Sequence, residues 1–202
     1  LRPGGFFTPA GLSFAALAPI KAVESARPVA PARAGDDMIP APIPPDEEAR
    51  LQALRELLIL DTPPEERFDR ITRFAMQEFE VPIATISLVD RDRQWFKSNF
   101  GLDACETARD VSFCGHTILE RRYLVIPDAL KDERFRDNPL VSGPPWIRFY
   151  AGAILRLPYG PAVGALCLMD RRPREIDAIG LSILGSLRDL VVEEMVRKEL
   201  VS

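Results

Sequence analysis

The chain has 202 residues, 47% hydrophobic and 28% charged, a make-up that fits a folded globular protein and argues against a disordered one. Its formal charge is −4 and no basic block interrupts the mixed charges, so nucleic acid has no electrostatic support as a main partner. Three widely spaced cysteines without a CxxC pair argue against a disulfide framework and fit a reducing, cytoplasmic compartment.

Residues 1–45 hold nearly half of the nineteen prolines, many alanines and few charges, and read as a flexible Pro/Ala-rich leader. The uncharged run from Pro3 to Ile20 is broken by Pro9, Pro19 and Gly11, which disfavours a spanning helix, and no membrane association is expected. A secretory signal is the competing reading: Arg2 precedes the apolar stretch Phe6 to Leu17, and small residues follow around Ala30 to Ala34. Residues 46–202 read as one domain.

Asp46-Glu47-Glu48 offers a cap and an acidic first turn, and Leu51, Leu54 and Leu58 recur at helical spacing. A second helix is expected from Thr62 as cap, Pro63 as first helical residue and Glu65 as the return partner of a capping box. Phe68, Ile71, Ala75 and Phe79 give it an apolar face. The β-branched run 83–89, the turn 90–93 and the alternating run 94–100 ending at Gly101 predict a hairpin. Ser112 can cap a short helix reaching about Glu120, and 123–126 is a further strand. Residues 129–147 are loop-rich, with Asn138-Pro139 and Gly143-Pro144-Pro145 as breakers. Runs 149–157 and 162–169 form a second hairpin around Tyr159-Gly160. A last helix is predicted from about Asp177 to Leu200, with Ile176, Ile179, Ile183, Leu187 and Leu190 on one side and Leu184 or Val191 spare for a partner helix. Gly185 within it costs about 1 kcal/mol relative to alanine and suggests close packing. Hairpins joined through helices predict an α+β fold, an antiparallel sheet with helices packed on it; no glycine-rich phosphate loop follows any strand.

The segment "RDVSFCGHTI" (109–118) carries the lone histidine, His116, two residues from Cys114. Two ligands fall short of the four that structural zinc takes, and adding Cys105 with Asp110 or Asp128 gives no standard spacing, so neither metal nor cofactor is expected. On a helix, residues i and i+2 point apart, so Cys114 and His116 do not form a natural nucleophile–base pair. Cys167, inside the apolar run "ALCLM", reads as a buried thiol.

Together with "LDTPPEERFDRIT" (60–72), "ISLVDRDRQWFKS" (86–98), "LVIPDALKDERFRDNPLV" (124–141), "IRFYAGAILRLPYG" (147–160) and "GALCLMDRRPRE" (164–175), this segment resembles the GAF domains found with bacterial histidine kinases and diguanylate cyclases. The resemblance covers about Leu51 to Met195. It implies a GAF/PAS-like six-stranded antiparallel sheet flanked by helices, a small-molecule pocket on one sheet face and dimerisation through the terminal helices. The function implied is a non-catalytic sensory module in signal transduction that binds a small molecule or responds to redox state, read by a separate output protein. The paired signature of cyclic-nucleotide GAF domains is not evident, and Gly115 separates Cys114 from His116 where bilin-binding relatives have Cys directly followed by His. If a pocket exists, Trp95, Phe113, Cys114, His116, Arg148 and Tyr150 are its expected lining, suited to a compact, anionic ligand. Two alternatives stay open. One is a thiol-dependent reductase resembling the free methionine-R-sulfoxide reductases of the same family, using Cys114 with Cys105. The other is a dimerisation scaffold with a collapsed pocket.

Overall fold

The computed structural model describes residues 38–197. Its elements run α1 (Glu47–Glu56), α2 (Glu66–Glu78), β1 (Ile83–Val89), β2 (Arg93–Phe100), β3 (Glu106–Ala108), α3 (Phe113–Thr117), β4 (Tyr123–Ile126), α4 (Pro139–Ser142), β5 (Phe149–Arg156), β6 (Ala162–Asp170) and α5 (Ala178–Val196). The six strands form one sheet in the order β3-β2-β1-β6-β5-β4, with every neighbouring pair antiparallel. The expected α+β architecture is therefore present. No helix among the described residues is long and apolar enough to cross a membrane.

Alternation along the strands sends side chains to two different layers. Ala84, Ile86 and Leu88 of β1, Trp95 of β2, Phe149, Ala151 and Ala153 of β5 and Leu166 and Leu168 of β6 face one side. There they meet Leu54 of α1, Phe68, Ile71 and Ala75 of α2, and Leu184, Leu187, Val191 and Met195 of α5. Ile83, Tyr150, Ile154, Cys167 and Met169 face the other side, where α3 and the 127–147 connection supply Phe113, Cys114, Ile118, Phe135, Val141 and Ile147. Small residues set the spacing on both sides. Ala151 and Ala153 admit the helices, whereas a methyl group on Gly152 would stand 2.3 Å from the Tyr150 hydroxyl. Gly152 is the floor on which the Tyr150 ring lies.

Several local expectations are corrected. Helix α2 starts at Glu66, with Glu65 rather than Thr62 at its N-cap and no side-chain cap bond. Thr62 and Glu65 are drawn off by Lys97: its ammonium donates to Thr62 Oγ1 (2.6 Å) and to the Pro63 carbonyl (2.9 Å), and it pairs with Glu65. A buried cation with three oxygens to satisfy it outcompetes a capping box. Leu58 leaves the helical stripe, having a left-handed backbone (φ 53°) and an exposed side chain. On α5 and the residues leading into it, Ile176, Ile183 and Leu187 pack on the core as expected, but Ile179 and Leu190 are exposed, and Leu184 and Val191, expected to be spare, are buried in the core. Asp177 caps this helix by accepting from the Gly180 amide at 2.7 Å. Gly185 does mark a close approach: the Tyr123 hydroxyl occupies the space its side chain would take. The three-residue edge strand β3 is an element that alternation did not reveal.

The end of the predicted leader is packed on the domain. Pro44 is buried, Ala41 lies against Gly115, and the Ile39 carbonyl accepts from His116 Nε2 at 3.1 Å. The signal-like stretch and the end of the last predicted helix, residues 198–200, lie outside the described residues.

Candidate functional site

The layer built by α3 and the 139–147 loop does not close fully on the sheet. It leaves a cavity of about 330 Å³. Ser87 of β1, Gln94 and Phe96 of β2, Thr107 of β3, Tyr150 of β5 and Met169 of β6 line it from the sheet side. Leu102 and Ala104, Phe113 and Cys114, and Trp146 with Ile147 close the remaining walls, and Asp103 and Arg171 also border it.

Each wall is held by a local device. The Ser112 hydroxyl accepts from the Gly115 amide at 3.0 Å, starting α3, and donates to Gln94 Oε1. Gln94 Nε2 in turn donates to Thr107 Oγ1 at 3.2 Å, so one amide side chain ties β2, β3 and α3 together beside the cavity. Asn138 pins the connection on the far side. It accepts from the Leu140 amide and donates to the Val111 carbonyl, both at 2.9 Å. Trp146 has a left-handed backbone (φ 65°), a conformation that costs a non-glycine residue about 1 kcal/mol, and its indole is half exposed at the cavity. Phe113 stacks on Phe135 with centroids 4.2 Å apart and tilts against Tyr150 at 5.0 Å, giving that wall an aromatic lining.

Beneath α3 lies a cluster of hydroxyls and thiols. Tyr150 Oη is 2.7 Å from Thr117 Oγ1, 3.5 Å from Cys114 Sγ and 3.3 Å from Cys167 Sγ. The two sulfurs are 3.1 Å apart, and both thiols are free. Burial raises the Tyr150 phenol well above its ordinary range, and the adjoining sulfurs push it the same way, so it stays protonated. Burial likewise raises Cys167. For Cys114 burial also pushes upward, but hydrogen bonds with Cys167, Tyr150, Ser87 and Ser112 outweigh it and the net direction is downward.

Of the expected lining, Phe113, Cys114 and Tyr150 border the cavity. Trp95, His116 and Arg148 do not. Trp95 points to the helical side because it sits opposite Leu88 in the β1–β2 ladder. His116 turns outward from α3, onto the Ile39 carbonyl and the edge of Phe135, where burial lowers its basicity. Arg148 donates to the carbonyls of Val141 and Ile147, holding the loop that carries Trp146. Arg109 bonds Glu47, which also receives Arg50, and the two guanidiniums outweigh burial to hold the Glu47 carboxyl at about 2. Cys105 lies away from Cys114, bordering a separate surface hollow with Thr62, Trp95 and Lys97. Ser87, Gln94, Phe96, Thr107 and Met169 went unnoticed in the sequence. Strand parity was the available signal for four of them: Ser87, Gln94, Phe96 and Met169 are one residue out of phase with the helix-facing Leu88, Trp95 and Leu168. Among the described residues, no three His, Cys, Asp or Glu side chains cluster so as to hold a metal ion.

A six-stranded antiparallel sheet with helices on one face and a loop-walled cavity on the other defines an α+β domain of the kind used in signalling sensors. The GAF domain model matches residues 63–191, more than half of the chain, and the chain belongs to the GAF domain family. A cyclic di-GMP phosphodiesterase of Pseudomonas aeruginosa is 44% identical over 137 residues, covering 68% of this chain and 23% of that protein. The chain thus spans under a quarter of the curated relative it matches. The GAF domain of an Acinetobacter phosphoenolpyruvate-protein phosphotransferase superposes with a TM-score of 0.54 at 16% identity, covering 73% of this chain and 92% of that one. The free methionine-R-sulfoxide reductase of Neisseria meningitidis, in complex with its substrate, gives 0.53 at 13% identity, covering 79% and 95%. At these identities the two structures share the fold.

Proposed function

We propose that this GAF domain is a non-catalytic regulatory module that binds a small organic molecule in the cavity over the sheet. The observation that carries the reading is the cavity itself: about 330 Å³, walled by Phe96, Phe113, Trp146 and Tyr150, with Gln94, Ser87 and Thr107 as convergent polar groups. With His116 and Arg148 absent from its walls, and Arg171 bordering it together with an opposite charge, Asp103, the ligand shifts away from the compact anion suggested by sequence. It favours a flat, largely apolar molecule carrying one or two hydrogen-bonding groups for Gln94 and Thr107.

The likeness to a cyclic di-GMP phosphodiesterase supports a role in signalling, with binding here tuning an output such as cyclic dinucleotide turnover that is carried by other sequence or by a separate protein. Ile179 and Leu190, exposed on α5, and Phe74, exposed on α2, support dimerisation through these helices. That Cys105, Cys114 and Cys167 are not joined in a disulfide supports a cytoplasmic setting. A thermal-shift screen of amino acids, nucleobases and aromatic acids, with native mass spectrometry of the freshly purified protein, tests the binding reading. A stabilising compound whose effect disappears in Ala104→Leu is expected. No retained ligand and no shift with any compound would return the domain to the scaffold reading.

The reductase reading keeps one observation in its favour, the position of Cys114 on the cavity wall. Cys105, its expected partner, borders another hollow. Turnover of free methionine sulfoxide with a thiol reductant, lost in Cys114→Ser, would establish it.

A further inference from the structure

The domain contains a second reactive element that small-molecule binding does not use. Cys114 and Cys167 come from elements 53 positions apart in the chain, α3 and the central strand β6, yet their sulfurs stand 3.1 Å apart. Their surroundings differ in one decisive respect. Cys114 forms part of the cavity wall, whereas Cys167 is fully buried and does not border the cavity. A small polar molecule in the cavity therefore meets Cys114 and not Cys167. The Tyr150 hydroxyl touches both, and the hydroxyls of Ser87 and Ser112 lie within hydrogen-bonding reach of Cys114. Cys167 has fewer such neighbours, with Ala165 O at 3.6 Å and the Thr85 hydroxyl nearby.

We propose that the pair is a reversible oxidation site: hydrogen peroxide entering the cavity oxidises Cys114, and Cys167 resolves the product to an internal disulfide between α3 and β6. The chemistry balances with hydrogen peroxide as the named oxidant. The Cys114 thiolate attacks the terminal peroxide oxygen, the O–O bond breaks, and the departing hydroxide takes up the thiol proton as water, leaving a sulfenic acid. The Cys167 sulfur then attacks the Cys114 sulfur, the S–O bond breaks, and the second water leaves with the Cys167 proton. Two electrons pass from the two thiols to the peroxide. A disulfide needs about 2.05 Å between sulfurs, so the atoms close by roughly 1 Å, a movement a helix of five residues can supply. The favoured ionisation of Cys114 over Cys167 agrees with this order of attack. Hydrogen peroxide is close to water in size, and the cavity volume is many times the roughly 30 Å³ a water occupies, so entry is not limited by space.

The test treats the full chain with graded hydrogen peroxide under native conditions, alkylates the remaining thiols in denaturant and maps the peptides by mass spectrometry. A crosslink joining the Cys114 and Cys167 peptides is expected, with Cys105 alkylated and all three thiols recovered after a dithiol reductant. In Cys167→Ala, dimedone is expected to label Cys114; in Cys114→Ala, Cys167 is expected to stay reduced at the same dose. The wild-type map decides even if either alanine variant folds poorly. Oxidation of Cys105 while Cys114 and Cys167 both remain alkylated, a crosslink through Cys105, or oxidation of Cys167 in Cys114→Ala would each overturn the proposal. Because the readout is a covalent mass and requires no ligand, its failure is separate from failure of the binding reading.

Discussion

The two faces of the sheet are built from the same strands but solve different problems. On the helical face, helices lay leucine, isoleucine and phenylalanine against alternate strand positions in a continuous apolar core. On the opposite face, a one-turn helix and an irregular connection cover the sheet, with hydroxyls, an amide and two thiols among the apolar groups and a cavity left between. The first face supplies the larger share of stability, since apolar burial is the dominant favourable contribution to folding. That leaves the second free to carry polar groups that pack less densely. Where function is concerned, the less regular layer is the informative one.

This contrast can be broken experimentally. Phe68→Ala, which empties the helical layer beneath Lys97, is expected to cost about 3–5 kcal/mol in chemical denaturation while leaving the cavity walls in place. A smaller loss than 1 kcal/mol would mean that the helical face is not the stabilising one. Acid tests the Glu47–Arg50–Arg109 group that ties α1 to the segment entering α3. The folded-state carboxyl lies at about 2 against an ordinary 4.5, so its contribution is complete above pH 4.5 and is lost as the pH falls through that interval. A difference of on the order of 3 kcal/mol is expected between pH 5 and pH 2, reduced in Glu47→Gln, whose own stability is lower at neutral pH because two buried guanidiniums lose their counter-charge.

On the cavity face, Gly152→Ala should cost about 1–3 kcal/mol by displacing the Tyr150 ring, and should change the reactivity of Cys114 with alkylating agents. The smallest effect is the most diagnostic. Ala104→Leu adds volume into the cavity and is expected to leave stability unchanged or raise it by about 1 kcal/mol, where the same enlargement in a filled core would destabilise. A large loss would show that the cavity is narrower in solution than its walls indicate.

How much of this was legible in the sequence follows the same division. The hairpins, the Ser112 cap and the α2 stripe were readable because period and cap chemistry are local. Lys97 was not, since its partners Thr62 and Glu65 lie more than thirty positions away and only folding shows that they are drawn from the helix terminus. The α5 face was allocated only in part, because apolar residues occur on more than one side of that helix and periodicity alone does not choose between two stripes. At the site, Phe113, Cys114 and Tyr150 were found by residue type and motif position. His116 and Arg148 are polar groups whose hydrogen bonds go to backbone carbonyls that a linear reading cannot locate. The Cys114–Cys167 contact is a tertiary fact, with each cysteine explicable alone as a buried thiol.

The two outermost strands of the sheet are its shortest, three residues in β3 and four in β4. Each offers too few free backbone groups in a row to template another strand, which blunts the commonest route by which open antiparallel sheets polymerise. Two copies meeting in solution would therefore find little purchase through backbone ladders, and their contact would have to be made by side chains. Association of this domain can then be retuned by single surface substitutions without disturbing the sheet that holds the site.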